Sequence, residues 1–165
     1  MCKKAPFLFI LILLFSAYSA GLSTAARPVV TADSTYYDTD TGLYILKGHV
    51  YVEVGNRIIT AGQARVSLSS LEVWGSDGIT LTQDDIALTA GNVYVFGTQN
   101  KVVLNGGVTF AHPQLTITAD AADFNWRTKV GAFTGNVQVT QGNDIWSAAS
   151  VIYNIRTGVL EKSPD

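Results

Sequence analysis

The chain has almost no cysteine. Cys2 is the only one in 165 residues, and it precedes the first apolar run, so the rest of the sequence offers neither a disulfide framework nor a thiolate metal centre. His49 and His112 are the only histidines. They fall in different sequence contexts, and a zinc site needs three or four convergent ligands, so no metal site is expected. Charged residues make up only 15% of the chain and form no basic run, which argues against nucleic acid and against docking on anionic lipid. Four scattered prolines mark no linker, so one domain is expected. Also missing are a Gly-x-Ser-x-Gly elbow, a glycine-rich phosphate loop and the glycine-aspartate nonapeptides of calcium-binding β-rolls. No enzymatic activity and no cofactor are expected.

At the amino terminus, Lys3 and Lys4 precede an apolar run over residues 7–15, and small residues from Ser19 to Ala26 follow. That order reads as an export signal. The apolar run is well short of the roughly 20 residues that span a bilayer. Cleavage after Ala25 or Ala26 would put Ser23 or Thr24 at the minus-three position. The expected division is therefore a signal peptide over residues 1–26 and one domain over 27–165. Without Lys3 and Lys4, nine basic residues face 13 acidic ones, a net charge near −4.

The strongest feature is an internal repeat. Ala32, Ala61, Ala90, Ala119 and Ala148 stand 29 residues apart. Each follows a hydroxylated residue: Thr31, Thr60, Thr89, Thr118 or Ser147. Apolar columns run alongside at Val30, Ile59, Leu88, Ile117 and Trp146, and at Tyr37, Val66, Val95, Phe124 and Tyr153. A second block keeps the same period, with Gly48, Gly106 and Gly135, then Val50, Ile79, Val108 and Val137, then Val52, Leu81, Phe110 and Val139. Asp77 alone breaks the glycine column.

Buried columns at alternate residues, rich in valine, isoleucine and threonine, predict half-buried strands. Each repeat reads as two long strands, with a bulge near residues 33 and 34 where the apolar parity changes and a sharp bend at the recurring glycine. Asp40-Thr41-Gly42, Gln99-Asn100 and Gly142-Asn143 mark turns. The expected fold is all-β: a bent antiparallel sheet with an apolar inside, elongated along its stacking axis.

Asp33 and Asp120 follow the repeating alanine and invite a catalytic or metal reading, but Gly62 and Gly91 replace them in neighbouring repeats. Asp and Gly share tolerance of irregular backbone, so a carboxylate closing a hydrogen bond at the bulge is expected. Asp84 and Asp85 read as a solvated turn. The aromatics Tyr37, Trp74, Phe110, Phe124, Trp126, Phe133 and Trp146 suit core packing better than a sugar-stacking ladder. The first predicted strand, Val29 to Tyr37, has one charge and the last, Ile145 to Ile155, has none. Edges so lightly guarded recruit other strands unless flanking residues cover them.

The run Ala32-Asp33-Ser34-Thr35-Tyr36-Tyr37 with Gly48-His49-Val50, and the run Ala119-Asp120-Ala121-Ala122-Asp123-Phe124 with Gly135-Asn136-Val137, resemble the OstA/LptA family of periplasmic lipopolysaccharide transport proteins. The resemblance covers about residues 29 to 160 and is weaker in the two middle repeats. It implies a bent antiparallel β-jelly roll whose apolar interior holds the acyl chains of lipid A. It also implies end-to-end strand pairing with itself and with LptC-like and LptD-like jelly rolls, bridging inner and outer membranes. No contact residue transfers from the family motif. The expected acyl contacts are therefore the apolar columns Val50, Val52, Ile59, Ile79, Leu81, Val108, Phe110, Ile117, Phe133, Val137 and Val139, unless these fill a closed core. Two further readings fit the same residues: an LptC-like relative anchored by residues 7–26, and a structural or adhesive β-solenoid with a dry interior.

Overall fold

Strict apolar-polar alternation carries directly into strands in the computed structural model, which describes residues 29–54 and 56–162. The expected signal peptide and its cleavage site lie outside the described residues. Among the described residues thirteen strands form one antiparallel sheet. They are β1 (Val29–Thr31), β2 (Ser34–Asp38), β3 (Leu43–Val54), β4 (Arg57–Ser67), β5 (Glu72–Ser76), β6 (Ile79–Gln83), β7 (Ile86–Ala90), β8 (Asn92–Phe96), β9 (Lys101–His112), β10 (Leu115–Asn125), β11 (Val130–Gln141), β12 (Asp144–Asn154) and β13 (Val159–Lys162).

The sheet is folded along one line into two leaves joined by strands that run through the bend. The first leaf holds, in order, β1, residues 50–54 of β3, residues 57–61 of β4, β6, β7, residues 108–112 of β9, residues 115–119 of β10, residues 137–141 of β11 and residues 144–148 of β12. The second holds β2, the other halves of β3 and β4, β5, β8, the other halves of β9 to β12, and β13. This is the bent antiparallel sheet that the repeat predicts and the jelly roll that the family resemblance implies.

The bend is built the same way in every repeat. The strand pairings slip at Gly48-His49, at Gly135-Asn136 and just after Ala119. Pairs of residues with positive φ occur at Gly48-His49, Asp77-Gly78, Gly106-Gly107 and Gly135-Asn136, 29 residues apart. Opposite each pair stands Asp33, Gly62, Gly91 or Asp120. The facing backbones approach so closely that only one side chain fits between them. A Cβ on Gly48 would collide with Asp33, one on Gly62 with Asp77, and one on Gly135 with Asp120. Where both positions are glycine, a Cβ on Gly91 would lie 3.0 Å from the Gly106 carbonyl oxygen.

Asp77 therefore does not break the pattern; it reverses it, with Gly62 making the room. The carboxylate does the same work either way. Asp33 Oδ2 lies 2.8 Å from His49 Nδ1, Asn136 Nδ2 donates to Asp120 Oδ2 at 2.8 Å, and Gln63 Nε2 donates to Asp77 Oδ2 at 2.7 Å. Each aspartate thus engages the residue that follows its partner glycine, which is the structural role expected for Asp33 and Asp120.

Three predicted features differ. The first strand is two pieces, β1 and β2, because the bend falls at Ala32-Asp33. The long strands of the middle repeats are likewise severed at Asp77-Gly78 and Gly91, giving β5 to β8. Strand β12 is not last either: Tyr153 and Asn154 pair with Leu160 and Val159 of β13, which the Arg156-Thr157-Gly158 turn brings back. Among the described residues the open edges are β1 and β2 at one end, and residues 144–150 of β12 with β13 at the other.

The one-side-chain rule yields a sharp test. Gly62→Asp alone should overpack the corner and lower stability in urea by about 1–3 kcal/mol. Adding Asp77→Gly recreates the Asp33/Gly48 arrangement and also places glycine at a positive φ. The double variant should unfold at or above the wild-type midpoint.

Candidate functional site

Between the leaves, inward side chains form rows that cross every strand. In the first leaf the row runs Val30, Val52, Ile59, Leu81, Leu88, Phe110, Ile117, Val139, Trp146, each paired with the next. Next to the bend four of the five repeating alanines face a β-branched residue: Val50 with Ala61, Ile79 with Ala90, Val108 with Ala119 and Val137 with Ala148. Small residues are needed there because the leaves are closest where they join. The hydroxylated column Thr31, Thr60, Thr89, Thr118 and Ser147 occupies the alternate, outward positions.

All eleven residues nominated from sequence point inward. Ten lie in the first leaf, and Phe133 faces them from the second. Ile79, Val108, Phe110, Ile117, Phe133, Val137 and Val139 join one buried cluster with Leu104, Val151 and Tyr153. Val50 belongs to a second cluster with Leu46, Ala64 and Val66, and Val52 packs against it. Val52, Ile59 and Leu81 are only partly buried.

The interior is not a uniform open trough. Ile117, Val137, Val139 and Val151 expose nothing, so in the carboxy-terminal half the leaves meet wall to wall. Aromatic rings bridge them there: Phe110 lies 5.8 Å from Phe133 and 5.6 Å from Tyr153 between ring centroids. Phe110 comes from the sixth strand of its leaf, whereas Phe133 and Tyr153 come from the eighth and ninth of theirs, so the leaves cross at an angle. The crossing leaves Tyr37 on the second leaf 52% exposed. At the opposite end Lys162 Nζ sits 4.8 Å above the Trp146 ring, a cation over an aromatic face.

The aromatics are less uniformly core than expected. Among those named, Phe110 and Phe133 are buried, while Trp74, Phe124, Trp126 and Trp146 are partly exposed. Trp74 stacks on Tyr94 at 5.0 Å, a cross-strand pair between β5 and β8. Period-2 counting assigns a face, but it cannot tell a covered face from an overhanging one.

Polar groups line the free rims of the leaves. Arg57, in the inward row, donates from Nε to Gln83 Oε1 at 3.0 Å, and burial pushes its guanidinium below the usual arginine value. Both histidines have carboxylate neighbours that lie far away in sequence. His49 meets Asp33, and His112 Nε2 lies 3.7 Å from Asp85 Oδ2. Asp84 accepts from Asn56 Nδ2 at 2.6 Å, so the Asp84-Asp85 turn is tied to its neighbours and not merely solvated. Among the described residues no three His, Cys, Asp or Glu side chains converge as metal ligands.

Comparisons with known proteins agree with this architecture. Residues 116–158 match the family model described as LptA/(LptD N-terminal domain) LPS transport protein. The matched stretch covers most of β10 to β12, the best-packed part of the molecule. Among solved structures, the chain resembles LptH of Pseudomonas aeruginosa, described as the LptA homologous periplasmic component of a lipopolysaccharide transport device. The TM-score is 0.51 at 15% identity, over 84% of this chain and 82% of LptH. Among curated proteins none matches. The likeness to the OstA/LptA family and the bent jelly-roll fold thus stand on independent grounds.

The aromatic bridge can be tested by stability. Tyr153 is raised above the ordinary tyrosine value of 10.0, first by burial and then by the Asp85 carboxylate. Its neutral phenol is the form the fold prefers, so its contribution is complete below pH 10 and is lost as pH rises through the higher folded-state value. In urea titrations wild type should therefore lose stability relative to Tyr153→Phe at alkaline pH. Phe110→Ala should cost about 3–5 kcal/mol at neutral pH.

Proposed function

We propose that this protein is an exported periplasmic carrier of lipopolysaccharide, shielding acyl chains between its two leaves and extending that shelter by edge-to-edge strand pairing. The observation that carries the reading is the unbroken inward row from Val30 to Trp146, which begins and ends on open edges. Each buried methylene is worth about 0.8 kcal/mol, so a twelve- to fourteen-carbon chain costs about 10 kcal/mol to expose to water. A lipid with several chains does not cross an aqueous gap unaided. A continuous apolar wall lowers that barrier with no bond made or broken, so no catalysis is assigned.

Strand addition makes the wall continuous between molecules. The β1 and β2 edge and residues 144–148 of β12 present unpaired backbone groups at opposite ends of the stack, and a strand laid on either would prolong the inward rows. A second copy, or an LptC-like or LptD-like jelly roll at either membrane, has the geometry for this. The likeness to LptH and the match to the LptA/(LptD N-terminal domain) family model both support the same transport system. The reading includes an export signal over residues 1–26.

The wall-to-wall packing of the carboxy-terminal half favours a second reading, a structural sheet with a permanently dry core. Photocrosslinking separates the two. Probes at positions 79, 110 and 137 should crosslink to lipopolysaccharide, and unlabelled lipid A should compete. Probes at outward Thr109 and Gln138, on the same strands, should not. A folded protein that binds no lipid saturably and gives no competed crosslink would be the structural sheet.

A further inference from the structure

Folding sorts the charges that the sequence scatters. Of the eight lysines and arginines between residues 29 and 162, only Arg57 lies in the first leaf; the other seven are on the second leaf or the turns at its rim. Five carboxylates share the second leaf with those seven cations, on Asp38, Asp40, Glu72, Asp123 and Glu161, which leaves a net +2 there. The remaining seven carboxylates set against Arg57 give the first leaf and the bend a net −6. The sequence shows no basic run because these cations come from strands far apart along it.

The outer faces of the two leaves differ as much in polarity. On the first leaf the outward positions pair as one threonine after another, through Thr60, Thr80, Thr89, Thr109 and Thr118. On the second leaf an outward row runs Tyr36, Ile45, Arg65, Trp74, Tyr94, Val103. Beyond Asp123 it continues through Ala132 and Ile152. A sheet face that meets only water is normally polar, and contiguous apolar residues on such a face mark an interaction surface. The ring centres of Tyr94 and Phe96 lie 3.9 Å apart beside the Trp74 stack, and Tyr36, Ile152 and Val159 are exposed. Cations border these rings. Lys47 Nζ sits 5.7 Å from the centre of the Tyr36 ring, and Lys101 pairs with Asp123 at 2.9 Å. Arg65, beside Trp74, makes no ion pair among the described residues.

We infer that the outer face of the second leaf docks on a phospholipid bilayer whose headgroups are partly anionic. Tryptophan and tyrosine rings settle at headgroup level because one end is apolar and the other polar. Lysine and arginine stems lie along apolar surface while their charges reach lipid phosphate. The first leaf, negative and covered with threonine, is repelled from the same surface, so the division of charge decides which face turns towards the bilayer. A molecule docked flat on this face has its stacking axis in the plane of the bilayer. It is then a form held on the surface, distinct from one that bridges two membranes. The inference goes beyond lipid carriage, which uses the opposite, inward faces.

The test uses the chain from residue 27 onward, since the apolar run of residues 7–15 would bind vesicles by itself. The vesicles contain no lipopolysaccharide, so carriage in the interior does not contribute. Cosedimentation is measured with vesicles of phosphatidylethanolamine and phosphatidylglycerol, and with phosphatidylcholine alone. Wild type should prefer the anionic vesicles. Trp74→Thr with Tyr94→Thr, which gives this face the residues of the other leaf, should weaken binding to them about tenfold while circular dichroism stays unchanged. Lys47→Gln with Arg65→Gln should cut the preference for anionic lipid about tenfold. Thr80→Gln with Thr89→Gln, on the first leaf, should alter neither. Should the aromatic variant misfold, the Lys47 and Arg65 variant decides alone. No binding by wild type, or equal losses from variants on the two leaves, overturns the inference. So does self-association of wild type without vesicles that Trp74→Thr with Tyr94→Thr abolishes, because the face would then belong to a second copy.

Discussion

Two backbones approaching within the width of one side chain form the constraint on which the rest depends. Every repeat meets it at the bend, with Asp33 against Gly48, Gly62 against Asp77, Gly91 against Gly106, and Asp120 against Gly135. Glycine is required on at least one side, and the side can change. The positive φ of the paired residues turns both strands together, so the whole sheet folds along a single line. Were one corner to fill, the strands on either side would flatten locally and lift their inward residues away from the facing leaf.

Once the leaves face each other, the inward rows have nowhere else to pack. Separating two apolar walls in water is costly, but exchanging wall-to-wall contact for wall-to-acyl-chain contact is nearly neutral, since dispersion and exclusion of water are alike in both. The net gain is then the lipid's own transfer, set against whatever it costs to open the bend. A closed interior at rest is consistent with a carrier on these terms. Part-exposed Val52, Ile59 and Leu81 are the natural place for such an exchange to begin, because there the walls are already apart.

The repeat made the fold legible. Alanine every 29 residues and apolar columns at alternate positions settled strand, face and inward direction for all eleven nominated residues. The bend could be placed near Asp33 because the parity changes there. Asp77 could not be understood from its own column, because the compensating residue, Gly62, lies in another column of the facing strand and only the pairing joins them. The His112–Asp85 proximity and the exposure of Tyr37 stayed hidden for a similar reason. They depend on how the leaves cross, and a count along one chain carries no crossing angle. Strand β13 was missed because Val159 to Lys162 is short, half charged and too near the end to show the period.

Periodicity also limits what a repeat protein can say about its ligand. An inward position near the bend must be apolar in every repeat or the core fails, so those columns report the shared wall and little else. Turn positions at the rim are free of that demand. There Gly42, Leu71, Asn100, Lys129 and Gly158 share a backbone conformation while their side chains differ completely. Chemical specificity in such a fold belongs to the rims, where a residue can depart from its column without unpacking anything. Leu71 and Lys129 both hold that backbone with long side chains, so the rim tolerates departures that the inward columns do not.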